Sequence, residues 1–218
     1  MAHNVKEGLA LHRHVWLPAG GAGRGAARTV VALHGTGGDE NDLIPLVREM
    51  YPEANILGIR GNVNENGYPR FFKRFAEGMF DEADIRARAN DLVAFWEAAA
   101  VTYGIAPGAT TWLGYSNGAN MIAALLLLDD VVREAVLLRA QYPLKGLKTV
   151  GIPARVTMLS GEYDTIVPLA ESKKLREALE VRGHKVVQHL APTGHQLSHF
   201  DFEVLAQARD EVASGEAA

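Results

Sequence analysis

A chain of 218 residues, with 48% hydrophobic and 22% charged residues, is long enough for one well-buried core, and nothing in its composition suggests a second domain, so a single domain over 1–218 is expected. The formal net charge of −4 offers no broad basic field for nucleic acid or anionic lipid and leaves small, neutral or weakly polar ligands as the expected partners. Cysteine is absent, which excludes disulfides, thiolate metal sites and cysteine nucleophiles together.

Taken in order, the N-terminus lacks the basic-then-apolar layout of a signal peptide. The longest apolar run, Met121 to Leu128, falls far short of the ~20 residues that span a bilayer, so a cytoplasmic protein without membrane insertion is expected. Leu9 to Leu17 alternates apolar and polar residues and stops at Pro18, which reads as an opening strand at a sheet edge, and Ala19 to Ala27 reads as a flexible Gly/Ala-rich turn. On that strand His12 and His14 read as surface groups. Thr29 to Leu33 is a continuous apolar run suited to a strand buried on both faces, and it delivers the chain to His34-Gly35-Thr36-Gly37-Gly38. His34 reads as a structural residue that fixes this turn by hydrogen bonding. A helix starting near Asp39 to Asn41 would carry Leu43, Leu46, Val47 and Met50, and Asn55 to Ile59 reads as another buried strand.

The region Arg60 to Phe80 has no clean period. It reads as a long irregular loop holding Tyr68, Phe71, Phe72, Phe75 and Phe80, and such a loop either folds down on its own apolar cluster or forms a lid or pocket wall. In the second reading Phe71 and Phe72 are substrate-binding. Asp81 to Tyr103 is an amphipathic helix by its spacing of Leu92, Phe95, Trp96, Ala99, Ala100 and Tyr103. Strands follow at Thr110 to Leu113, Glu134 to Arg139, Ala154 to Leu159 and Lys185 to Leu190, with helices from Ala119, from Leu169 to Arg182 and from His199 to Ser214. This alternation implies an α/β fold with a mostly parallel central sheet flanked by helices on both faces.

Gly114-Tyr115-Ser116-Asn117-Gly118 reads G-x-S-x-G between a strand and a helix, the setting of a nucleophile elbow. A serine hydroxyl is a weak nucleophile at neutral pH; it needs a base beside it and N–H donors facing the reacting carbonyl. In an open α/β sheet ligands bind beyond the carboxyl ends of the strands, and four such ends carry reactive groups: Ser116, Asp164, His195 and the His34 to Gly38 turn. The order Ser, Asp, His is that of the α/β-hydrolase triad. His195 would take the proton from Ser116, and Asp164 would orient and stabilise the imidazole. The backbone N–H groups of Thr36 and Asn117 would form the oxyanion hole. Glu162, two positions from Asp164, is a rival acid. His195 and His199 have the spacing of a metal-binding helix face, but no third ligand or H-E-x-x-H pattern joins them, so no metal is expected.

Leu33-His34-Gly35-Thr36-Gly37-Gly38-Asp39-Glu40, Arg60-Gly61-Asn62-Val63, Pro69-Arg70-Phe71-Phe72, Gly114-Tyr115-Ser116-Asn117-Gly118-Ala119 and Gly194-His195-Gln196-Leu197 together resemble the phospholipase/carboxylesterase family of α/β hydrolases. The likeness runs from about Val30 to the C-terminus and leans toward the bacterial branch of small predicted esterases, which includes hydrolases associated with hydroquinone resistance. It implies the α/β-hydrolase fold and a carboxylic-ester hydrolase that needs no cofactor, with Ser116, Asp164 and His195 as triad and Thr36 and Asn117 as oxyanion hole. The branch usually carries histidines at the end of the strand before Tyr142-Pro143. Here the segment reads Leu137-Leu138-Arg139-Ala140-Gln141, so leaving-group preference is expected to differ.

The expected activity is that of a serine carboxylesterase on short to medium acyl or aromatic esters, working through an acyl-enzyme on Ser116 with a small-molecule ester as partner. Alternatives are an acyl-protein thioesterase or lysophospholipase-type hydrolase, and a non-catalytic small-molecule binding protein on the same fold. The edge strand and the exposed apolar loop residues leave room for a homodimer.

Overall fold

The computed structural model describes residues 2–20, 27–145 and 151–214. Its centre is a seven-stranded sheet in the order β1 (His14–Leu17), β3 (Asn55–Ile59), β2 (Thr29–Leu33), β8 (Thr110–Tyr115), β9 (Glu134–Leu138), β10 (Arg155–Gly161) and β11 (Lys185–Ala191). All neighbouring pairs are parallel except β1 with β3, so the antiparallel strand closes one edge.

The apolar runs make this sheet because strand side chains alternate between its faces. Val31, Leu33, Leu57, Ile59 and Trp112 enter one core with α3 (Glu82–Tyr103), α4 (Asn117–Leu128) and α5 (Leu169–Val181). Val30, Ala32, Ile56, Leu113 and Leu138 enter a second core with α2 (Ile44–Met50) and α6 (His199–Ser214). Burying both faces requires apolar residues at successive strand positions, as Thr29–Leu33 and Asn55–Ile59 supply. Asp81 starts α3 by accepting the Asp84 N–H, and Gly104 ends it in the left-handed conformation.

Three expectations change. A helix α1 (Ala2–Ala10) occupies the first part of the expected opening strand; it packs on α3 with Gly8 against Ala98, and the strand begins only at His14. The helix after the glycine turn starts at Ile44 rather than at Asp39 to Asn41, because Asp39 Oδ1 accepts the Asn41 N–H at 2.8 Å and holds that segment in a turn. The stretch Arg60 to Phe80 is not an irregular loop. It holds two hairpins, β4 (Val63–Glu65) with β5 (Tyr68–Arg70) and β6 (Arg74–Ala76) with β7 (Met79–Phe80). Asn66-Gly67, both at positive φ, forms the first two-residue turn, a signal that was legible in the sequence. Most of the expected Ala19 to Ala27 turn lies outside the described residues.

The chain runs from β2 to its neighbour β3 and then crosses to β8 on the other side of β2. This reversal opens a crevice at the carboxyl ends of β2 and β8. The glycine turn leaves one of those strands and Ser116 leaves the other.

Candidate active site

Ser116 sits between β8 and α4 with φ 51° and ψ −111°, a conformation that a residue with a side chain adopts only when its surroundings impose it. They do so here: its N–H donates to Leu138 O at 2.8 Å and its carbonyl accepts the Asn120 N–H at 2.9 Å. Gly118 allows the turn to close, since a Cβ there would collide with the Leu33 carbonyl.

The hydroxyl of Ser116 meets His195 Nε2 at 2.9 Å, and His195 Nδ1 meets Asp164 Oδ2 at 2.8 Å. The other oxygen of Asp164 accepts the N–H groups of Ile166 at 2.9 Å and Val167 at 2.8 Å. A buried carboxylate fixed in this way accepts the Nδ1 proton, leaving Nε2 as an acceptor that faces the serine hydroxyl. Glu162 is exposed and its carboxylate joins no described hydrogen bond or ion pair, so Asp164 rather than Glu162 meets the imidazole. His195 precedes α6 while His199 begins it. The two imidazoles therefore share no helix face, and His199 is 87% exposed beside Glu203.

Thr36 and Asn117 both line the cavity into which Ser116 opens, and among the described residues the backbone N–H of neither donates a hydrogen bond. These are two uncommitted donors flanking Ser116, the arrangement that can hold a developing oxyanion. The turn carrying Thr36 is pinned from two sides. Gly37 N–H donates to Pro69 O at 2.9 Å, and Arg70 Nη1 donates to Thr36 Oγ1 at 2.6 Å. His34 fixes its base: Nδ1 donates to Gly35 O at 2.5 Å and Nε2 accepts the Gly61 N–H at 3.0 Å. Burial holds the His34 pKa below the usual histidine value, which matches a ring that must stay neutral to accept that N–H.

Phe71 and Phe72 do not line the cavity. They are 1% and 0% exposed in the core shared with α3 and α4, and the Phe71 N–H donates to Asn117 Oδ1 at 2.7 Å. The expected substrate contact at these two residues is therefore corrected: they anchor the hairpins beneath the elbow, and Phe80 forms part of the cavity wall instead. His12 is also buried, not on the surface; it donates from Nδ1 to Arg60 O at 2.9 Å and packs edge-on against Phe95.

Residue-by-residue reading of the sequence missed Arg139. It is fully buried at the end of β9, with φ 57°. Its guanidinium donates to Gly194 O at 3.0 Å, Thr193 Oγ1 at 2.9 Å, Gln196 O at 3.3 Å and Asp201 Oδ2 at 2.9 Å. The acceptors lie on both sides of His195, so one side chain braces the loop that carries this imidazole. Tyr115 adds a bond from its hydroxyl to the His195 carbonyl at 3.1 Å, and burial raises the pKa of that phenol.

No family model matches the chain. MhqD of Bacillus subtilis (strain 168), a provisionally named hydrolase, is 40% identical over 185 residues, covering 83% of this chain and 90% of MhqD. The crystal structure of a Bacillus cereus carboxylesterase superposes with a TM-score of 0.87 at 36% identity, over 95% of this chain and 98% of the esterase. A Mesorhizobium loti carboxylesterase gives 0.84 at 30% identity, over 91% and 94%.

The chain belongs to the phospholipase/carboxylesterase family of α/β hydrolases. As a member it is a carboxylic ester hydrolase with the fold that the resemblance implied. Among the described residues no helix is long and apolar enough to cross a membrane.

Proposed function

We propose that this family member is a serine carboxylesterase that cleaves short to medium acyl or aromatic esters through an acyl-enzyme on Ser116. The observation that carries the reading is the unbroken relay from Ser116 Oγ through His195 to Asp164, at 2.9 and 2.8 Å. In the first half-reaction His195 takes the serine proton as Oγ attacks the carbonyl carbon, the Thr36 and Asn117 N–H groups hold the oxyanion, and the imidazolium returns its proton to the departing alcohol. In the second half-reaction water repeats the attack and the acid leaves. Asp164 supports the transient imidazolium throughout.

The cavity, about 310 Å³, lies at the small end of ligand sites, which favours the shorter members of the substrate range. Thioester cleavage would use the same steps, so the thioesterase alternative differs only in the substrate. The test is hydrolysis of a p-nitrophenyl ester series from acetate to decanoate, with acyl-thioester counterparts, by the wild type and Ser116→Ala, and mass spectrometry after fluorophosphonate treatment. Turnover that falls to background in the variant, a single adduct on Ser116 and a preference for short chains are expected. Undiminished turnover in folded Ser116→Ala would refute the mechanism, and absence of both turnover and adduct would favour the binding-protein alternative.

A further inference from the structure

Of the motif Pro69-Arg70-Phe71-Phe72, the two aromatic residues lie in the core, and the proposed reaction uses no charge from the motif. Arg70 nevertheless lies in the wall of the cavity that holds Ser116, with only 2% of its surface exposed. A buried guanidinium is costly unless it is paired. The hydrogen bonds of Arg70 go to neutral oxygens: Thr36 Oγ1 from Nη1 at 2.6 Å and the Phe72 carbonyl from Nε at 3.2 Å. The carboxylate within ion-pair range, Glu65, stands 3.7 Å from Nη1 and is already gripped by Arg74, whose Nε contacts its two oxygens at 3.0 and 3.1 Å and whose Nη2 contacts one at 2.9 Å. Two guanidiniums share one carboxylate, which leaves one positive charge over. Burial, with Arg74 adding to it, lowers the Arg70 pKa to about 10, so the group stays charged at neutral pH. Its Nη2 takes part in no hydrogen bond among the described residues.

A second group in the wall points the same way. Asn120 Oδ1 accepts the Gln141 N–H at 2.9 Å, which leaves Asn120 Nδ2 an uncommitted donor in a residue that lines the cavity. The acidic residue of the wall, Glu77, is exposed on the turn of the second hairpin.

We propose that the cavity recognises esters bearing a carboxylate in addition to the ester group, with Arg70 as the anchor and Asn120 as a further donor. The proposal rests on the serine-esterase reading of Ser116 and narrows its substrate class. The one positive charge left over in the group of Arg70, Arg74 and Glu65 matches a monoanionic carboxylate rather than a phosphate dianion, and a planar guanidinium presents N–H groups in the geometry a carboxylate accepts. The cavity size suits the half-ester of a short dicarboxylic acid.

The test compares kcat/KM for monoethyl succinate and for ethyl butyrate, which is similar in length and uncharged, in the wild type, Arg70→Met and Arg70→Lys. The wild type should prefer the half-ester at least 10-fold, mainly through KM. Arg70→Met should lose that ratio whatever it does to the rate common to both esters through Thr36, and Arg70→Lys should keep part of it. A wild-type ratio of one or below, or an unchanged ratio in folded Arg70→Met, overturns the proposal. Should Arg70→Met fail to fold, inhibition of the wild type by succinamate and by its neutral diamide decides: tighter inhibition by succinamate supports the subsite, and equal or weaker inhibition overturns it. Fluorophosphonate labelling separates the two readings. A labelled enzyme that cleaves ethyl butyrate but not the half-ester keeps the esterase and loses the subsite. An unlabelled protein inactive on both esters loses the esterase, and calorimetric binding of succinamate over the diamide then tests the subsite alone.

Discussion

At Ser116 the strained backbone is held by two main-chain hydrogen bonds and the side chain by His195, so the hydroxyl can be removed without dismantling the turn. Ser116→Ala is expected to lower kcat by roughly 10⁴-fold or more with a melting temperature at or above that of the wild type, checked by ester hydrolysis and calorimetry. Arg139 has the opposite balance. It and Asp201 form an ion pair with 0% and 1% of their side chains exposed, and deleting Arg139 leaves the Asp201 carboxylate buried without a counter-charge, held only by the Ser198 N–H and hydroxyl. Arg139→Met is expected to cost about 3–5 kcal/mol in urea unfolding. Adding Asp201→Leu should recover part of that loss, since the bonds from Ser198 go with the carboxylate, while kcat stays low because the loop on either side of His195 has lost its brace. A double variant that is less stable than either single one would show that the pair is not the source of the cost.

The elements around the elbow are joined by close backbone approach and by aromatic burial. Gly118 in α4 lies against the end of β2, so Gly118→Ala must push the helix from the strand, and a loss of about 1–3 kcal/mol is expected in denaturant midpoints together with reduced activity. Phe72 and Phe80 meet at 5.0 Å between ring centroids in a T-shaped pair, yet only Phe80 reaches the cavity. Phe72→Ala is therefore expected to cost about 3–5 kcal/mol of stability through the space it leaves in the core. Phe80→Ala should instead act mainly on KM or acyl-chain preference, which ester kinetics on the two folded variants would separate. The hairpins that carry these rings thus divide their labour between filling the core and shaping the pocket.

At the scale of the whole molecule, the buried imidazoles of His12, His34 and His184 make stability depend on pH. His12, His34 and His184 all have pKa values lowered by burial, the largest cause in each case. For two of them the neutral ring is also required by hydrogen bonding. His184 Nδ1 accepts the Ala154 N–H at 3.0 Å while Nε2 donates to Leu126 O at 2.8 Å, and His34 Nε2 accepts from Gly61. The unfolded chain takes up these protons near pH 6.5 and the fold resists them, so the unfolded state binds more protons as pH falls. The stabilisation is complete above that value and is lost as pH drops through it toward the folded pKa values. The carboxylates with lowered pKa, such as Glu65 and Glu134, lose theirs only in a more acid range. The melting temperature is expected to fall between pH 7.5 and 5, and a flat profile over that window would contradict the assignment.

Read alone, the sequence determined most of the sheet, the nucleophile elbow and the order of Ser116, Asp164 and His195, because each rests on apolar runs and glycine turns acting over a few neighbouring residues. Thr29–Leu33 has no polar interruption, and Gly114 and Gly118 bracket Ser116 wherever the rest of the chain goes. Tertiary structure alone decided that Asp164 and not Glu162 meets His195, that His12, Phe71 and Phe72 are buried, and that Arg70 and Arg139 stand beside the site. Arg139 finds its acceptors around His195 and at Asp201 54 to 62 residues away and Arg70 finds Thr36 at a separation of 34. Whether a charged or aromatic side chain ends in core, cavity wall or solvent depends on which distant surfaces pack against it, and local pattern carries no record of that packing.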